Sequence, residues 1–264
     1  MNILVCVKQV PDTTEIKIDP ITKTLIRTGV PSILNPFDSY ALEMALRIKD
    51  ATGGRVVTVS MGPPQAKAVL KESLSAGADA AYLVSDRAFG GSDTLATSYI
   101  LSCAIDALEK KEGKFDVIFC GKQAIDGDTA QVGPEIAEHR NLAQVTCAIE
   151  VTPESENTLL VKKETESGYQ EIRVGVPCLI TATKTAFDLR WPTLRTRAAA
   201  SRADIPTVTS ADVIIDLTRA GLKGSPTKVS KSFTPDMTKN SVKVEGVSPA
   251  DTAKQLIRLL SKAL

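Results

Sequence analysis

One stretch near the middle of the chain concentrates the residues best suited to hold an anion: Gly121-Lys122-Gln123-Ala124-Ile125-Asp126-Gly127-Asp128-Thr129-Ala130-Gln131-Val132-Gly133-Pro134. Its glycines let backbone amides approach a ligand closely. Asp128 or Thr129 is placed to open a helix whose unpaired N–H groups would face a phosphate. Pro134 opposes a regular helix starting as early as Thr129, so a distorted first turn is expected. Asp126 and Asp128 would repel a phosphate unless their carboxylates cap amides or bind a ribose, and Lys122 is the cation of the loop. On its residues alone the stretch reads equally well as a ligand loop and as a well-capped turn between strand and helix. It is not a Walker loop, because G-x-x-x-x-G-K-[ST] is absent.

Other chemistry finds little support. The single histidine, His139, leaves little room for a histidine-centred metal site or a Ser/His/Asp triad and reads as a surface helix residue. Neither paired carboxylates nor a nucleophile beside a base is evident, so the lone chain is not expected to be an enzyme. Phe89-Gly90-Gly91-Ser92-Asp93-Thr94 approaches the S-G-G-x-D-S loop of ATP pyrophosphatases, but Phe89 replaces the first serine and the loop follows the third strand rather than the first. A glycine turn with a helix cap accounts for it. The five cysteines, Cys6, Cys103, Cys120, Cys147 and Cys178, lie widely spaced in apolar runs without a C-x-x-C pair and read as reduced core residues. With 32 basic and 31 acidic residues the formal charge is +1, so no charged surface invites nucleic acid or an anionic membrane, and any phosphate must be bound locally. The first residues lack a charged secretion leader and no run is long enough to span a bilayer; a cytoplasmic, bacterial protein is expected.

The elements that must position the loop follow from periodicity. With 264 residues, 43% of them apolar and 24% charged, the chain is a globular one of one sizeable domain plus an extension. Unalternating apolar runs at 2–10, 55–61, 80–84 and 115–120 alternate with helical patterns, which predicts an α/β fold: a mainly parallel twisted sheet with helices on both faces. The helices are expected after Asn35-Pro36, over 64–76 and over 92–111, the first with Asn35 as cap and Pro36 at its first position. A β-hairpin excursion is expected at 14–27, and extra strands at 145–151, 159–163, 172–174 and 179–183, broken at Pro153-Glu154-Ser155. From residue 186 the pattern loosens; this predicts an α/β domain over 1–185 and, over 186–264, an arm that lies on another chain and ends in an amphipathic helix, 249–264. In open parallel sheets ligands bind beyond the carboxyl ends of the strands. Four loops qualify: 6–12, 34–38, 61–64 and 121–134.

The motifs Leu4-Val5-Cys6-Val7-Lys8-Gln9-Val10-Pro11-Asp12, Leu34-Asn35-Pro36-Phe37-Asp38, Met61-Gly62-Pro63-Pro64-Gln65, Ala76-Gly77-Ala78-Asp79, Ser92-Asp93-Thr94-Leu95-Ala96-Thr97 and Gly121-Lys122-Gln123-Ala124-Ile125-Asp126-Gly127-Asp128 together resemble the electron-transfer flavoprotein β subunit. The resemblance implies AMP as a buried structural ligand, with Cys6, Asn35, Pro36, Phe37, Asp38, Met61 and residues 121–132 around it, Phe37 being equally readable as a core residue. It implies FAD held chiefly by an α subunit in an obligate heterodimer, with Thr13 at the flavin edge where some members carry a tyrosine. It further implies transient docking of a primary dehydrogenase through Arg190-Trp191-Pro192-Thr193-Leu194-Arg195, with Leu194 as the anchor in a basic collar. Electron carriage would then belong to the complex, the cofactor supplying the redox chemistry. Two rivals remain: a stand-alone adenine-nucleotide sensor and an ATP-dependent enzyme.

Overall fold

A computed structural model describes residues 1–12, 31–230, 241–244 and 246–263. The described chain falls into two units, one reaching residue 230 and one containing the C-terminal residues from 241. The expected hairpin at 14–27 lies outside the described residues.

In the larger unit the elements are β1 (Asn2–Cys6), β2 (Gln9–Pro11), β3 (Ser32–Leu34), α1 (Pro36–Thr52), β4 (Arg55–Met61), α2 (Lys67–Ala76), β5 (Ala80–Val84), α3 (Thr94–Glu112), β6 (Val117–Gly121) and α4 (Val132–His139). They continue with β7 (Ala143–Ser155), β8 (Thr158–Thr165), β9 (Gly168–Gly175), β10 (Cys178–Ala182), α5 (Leu194–Arg202), β11 (Thr207–Val208) and α6 (Gly221–Gly224). Nine strands form one sheet in the order β11-β5-β4-β1-β6-β10-β7-β8-β9. It is parallel from β11 to β7 and antiparallel across β7, β8 and β9.

The parallel strands are apolar without alternation because both faces are covered. In β1, Ile3 and Val5 pack with Leu42, Met44 and Ile48 of α1 and Leu70 of α2. Leu4 points the other way, into a cluster with Ile100 and Ile105 of α3 and Ile136 of α4. α1 begins with Pro36, whose missing N–H costs nothing there, and ends on Gly53, which takes φ 68° and donates its N–H to Lys49 O.

The structure departs from the periodicity reading in three places. The run at 2–10 divides: after Cys6 the chain leaves the main sheet, and β2 pairs antiparallel with β3 in a separate two-stranded ribbon. Residues 153–155 do not break the strand but belong to β7, where a register shift between Pro153 and Ser155 absorbs the proline's missing donor. Residues 186–230 are not structureless; they pack within the larger unit, and β11 adds a strand beside β5. In the smaller unit, α7 (Pro249–Ala263) leaves Leu256, Ile257, Leu259 and Leu260 exposed.

Candidate functional site

The chain runs outward from β1 through β4 to β5 on one side, then crosses back to β6 on the other. The crevice where that order reverses lies between the carboxyl ends of β1 and β6. Two residues at the start of α1 tie its rims together. Asp38 Oδ2 accepts the N–H of Lys8 (2.7 Å) and its Oδ1 accepts the N–H of Gly121 (3.0 Å). Asn35 donates Nδ2–H to Gln123 O (2.8 Å), and its Oδ1 accepts the N–H of Ile125 (3.2 Å). Asn35 therefore does not cap α1 with its side chain, as expected from sequence, but pins the loop after β6; its backbone oxygen receives the first helical N–H groups instead. The close fit explains Gly121, since a Cβ there would collide with Asp38 Oδ1 and stand 2.7 Å from the Phe37 carbonyl carbon. Burial pushes the Asp38 carboxyl up to about 7, outweighing the opposing hydrogen bonds from Asn35, Lys8 and Gly121.

The loop after β6 is folded by its own side chains. Asp126 pairs with Lys8 Nζ (2.7 Å), and Asp128 accepts Nε2–H of Gln123 (2.7 Å), so both carboxylates are turned onto partners rather than left facing an anion. Asp128 and Ala130 take positive φ, 52° and 56°, which unwinds the segment expected to open the helix. The helix starts at Val132, and Pro134 becomes its third residue, where a backbone N–H has no intrahelical acceptor anyway. Gly133 lets α4 sit directly on β10, because a Cβ would stand 2.7 Å from Thr181 Cγ2. Lys122 N–H donates to Ala182 O (2.7 Å), fastening the loop to the same strand.

These loops enclose a cavity of about 650 Å³. Of the residues expected around a ligand, Cys6, Asn35, Asp38 and Met61 line it, together with Gly121, Lys122, Gln123, Ala124, Gly127, Thr129, Ala130, Gln131 and Val132. Pro36, Phe37, Ile125, Asp126 and Asp128 do not; Phe37 is half-buried at the start of α1, and the two exposed aspartates brace the loop through Lys8 and Gln123. The periodicity reading overlooked one wall, formed by Phe89, Gly90, Gly91, Ser92, Asp93, Thr94, Thr97 and Leu101. Asp93 there caps α3 by accepting the N–H of Ala96 (3.0 Å), and it also accepts from Thr227. The signal was present: this loop too follows the carboxyl end of a parallel strand, β5.

The remaining two residues lie elsewhere. Thr13 is outside the described residues. Leu194 is the first residue of α5, 89% exposed, close in sequence to Trp191, which is 94% exposed. The segment is held at its base by Arg190, whose Nε and backbone N–H both donate to Glu43 Oε2 (2.9 and 3.1 Å), with Nη1 donating to Asp50 (2.8 Å). At its other end Thr193 and Thr196 form a reciprocal capping box at the start of α5. Among the described residues no cluster of three or more His, Cys, Asp or Glu side chains is placed to hold a metal ion, and no helix is long and apolar enough to cross a membrane.

Sheet order and cavity define a doubly wound α/β protein with its crevice at the topological switch point. The electron transfer flavoprotein domain matches residues 22–213. The chain is 54% identical over 238 residues to the electron transfer flavoprotein subunit beta of Megasphaera elsdenii, covering 89% of this chain and 88% of the relative. It is 51% identical over 237 residues to the subunit of the same name in Clostridium acetobutylicum (90% and 89%) and 45% identical over 263 residues to the caffeyl-CoA reductase-Etf complex subunit CarD of Acetobacterium woodii (99% and 98%). The chain belongs to the electron transfer flavoprotein family, as a β subunit.

Proposed function

We propose that this chain is the β half of a heterodimeric electron carrier whose partner α subunit holds FAD, and that its own cavity holds the adenine nucleotide AMP as a structural ligand. The observation that carries the nucleotide assignment is the cavity at the switch point, walled by the loop after β6 and the first turn of α4. The fit is chemical. Unpaired N–H groups and the positive end of α4 suit a phosphate; Asp126 and Asp128 of the same loop are engaged with Lys8 and Gln123, and Asp93 in the far wall is engaged with Ala96 and Thr227. Gly127, Thr129, Ala130, Gln131 and Val132 would hold the phosphate end, and Asn35, Asp38 and Met61 the opposite rim. The flavin supplies the electron transfer when bound. This chain's residues fix the nucleotide and, through Trp191 to Leu194, offer an exposed apolar anchor to a primary dehydrogenase. The C-terminal helix, with its exposed leucines, packs on the α subunit.

A second reading concerns the size of the ligand. The wall at 89–101 adds to a cavity of about 650 Å³, room that favours an adenine dinucleotide such as FAD with its AMP half at the site above. Purification from the native source, followed by the absorbance spectrum, subunit content and mass analysis of released nucleotide, separates these readings. A yellow heterodimer releasing AMP is expected; FAD in excess of one per heterodimer without AMP selects the dinucleotide. A colourless single-chain protein with exchangeable nucleotide would instead favour the sensor.

A further inference from the structure

Two cysteines to whose thiols the electron-carrier reading gives no chemistry meet in the wall of the cavity. β1 and β6 are parallel neighbours with Val5 opposite Phe119, so the next residues, Cys6 and Cys120, stand side by side. Both belong with the α3/α4 face of the sheet, along with Leu4 and Ile118, two residues earlier in each strand. Both line the cavity, Cys120 being buried and Cys6 half-buried. They are free thiols. Neighbouring strands are spaced about 4.8 Å apart, inside the Cα range of about 4.4–6.8 Å that a disulfide spans.

We propose that Cys6 and Cys120 are a redox-active thiol pair which a low-molecular-weight disulfide closes into an intrachain bond when no nucleotide covers them. The Cys6 thiolate, nearer the opening, attacks the small disulfide and expels one thiolate, leaving a mixed disulfide on Cys6. Cys120 then attacks the Cys6 sulfur and expels the second small thiolate, which takes up the Cys120 proton. Two protein thiols are oxidised and one small disulfide is reduced to two thiols. The neighbouring Cys6, and burial, hold the Cys120 thiol well above its ordinary range, so Cys120 attacks only after Cys6 has been activated. Protection by nucleotide rests on the site proposed above; the pairing of the two thiols does not.

The test treats the full-length protein, as purified and after removal of bound nucleotide, with oxidised glutathione. The tryptic peptides of residues 1–8 and 115–122, each holding one of the two cysteines, are then mapped by mass spectrometry. In stripped protein the two peptides should be joined with loss of two hydrogens. Cys120→Ser should stop at a glutathione adduct on Cys6, and Cys6→Ser should leave Cys120 unmodified. AMP, or FAD, at about ten times its Kd should slow closure roughly tenfold, since only the vacant fraction reacts. A persistent adduct on Cys6 with Cys120 still open to alkylation, or no reaction at either, overturns the pair. Closure at the same rate with and without nucleotide supports the pair and counts against the nucleotide placement.

Discussion

Asp38→Asn probes the strap between β1 and β6 most directly. Native Asp38 titrates near 7 against 3.8 for an unburied carboxyl. Between those values the folded protein keeps a proton that the unfolded chain has released. Its contribution to stability is therefore greatest in acid and declines as pH rises from about 4 to about 7, then stays level. At about 1.4 kcal/mol for each tenfold change in proton affinity, that interval amounts to about 4 kcal/mol, a large part of the roughly 5–15 kcal/mol that holds a domain folded. Asparagine does not titrate, so the wild-type advantage in unfolding free energy should shrink by about 4 kcal/mol between pH 4 and pH 7.5. The variant also places an amide –NH₂ against one of the two backbone donors, Lys8 N–H or Gly121 N–H, a loss of about 1–3 kcal/mol present at every pH. Urea unfolding of nucleotide-free protein across this range measures both. Parallel profiles, agreeing within about 1 kcal/mol, would refute the reasoning, because they would mean that the hydrogen bonds outweigh burial and keep Asp38 ionised throughout.

Gly121→Ala drives a Cβ into the backbone of α1 and should cost about 3 kcal/mol or more, because backbone cannot step aside; released nucleotide, quantified after gel filtration, should be lost with it. Arg190→Ala removes one of two cations from the buried Glu43, leaving Arg47. With Arg190 a third exposed, the loss is about 2 kcal/mol rather than that of a fully buried pair, and a double-mutant cycle with Glu43→Gln in thermal unfolding should show coupling; additive effects would count against the clamp. Leu194→Ala should leave flavin content and stability unchanged while weakening electron transfer from the physiological dehydrogenase by about tenfold or more, as expected for loss of an apolar anchor. Unchanged transfer would reassign Leu194 to an ordinary exposed helix start.

The parallel core was legible because burial on both faces writes itself as unalternating apolar runs: β4 and β5 begin and end where the runs do. The crevice was legible by topology, since strands followed by helices put Cys6, Met61 and Gly121 at one edge. What escaped was decided by tertiary competition. Asn35 has the residue type and place of a cap, yet Gln123 and Ile125 offer its side chain partners from a loop far along the chain. The start of α4 could not be read because two non-glycine residues adopt positive φ. The 89–101 wall was dismissed because its glycines and Asp93 already had a local role. A residue can cap a helix and border a cavity at once.

The position of β10 sets the order in which this molecule can be assembled. It is the last of the central strands to be synthesised, yet it sits between β6 and β7. Gly133 rests against its Thr181, and Lys122 is tied to its Ala182. As the chain leaves the ribosome, β6 therefore waits as an open edge for some sixty residues, and the loop that walls the cavity is held by Asn35 and Lys8 but lacks its ties to β10. A nascent chain ending at α4 contains every residue that lines the cavity but lacks the strand on which Gly133 and Lys122 rest. On the nucleotide assignment proposed above, full closure of the site would follow the insertion of β10, so the ligand would stabilise the finished sheet rather than guide its early folding.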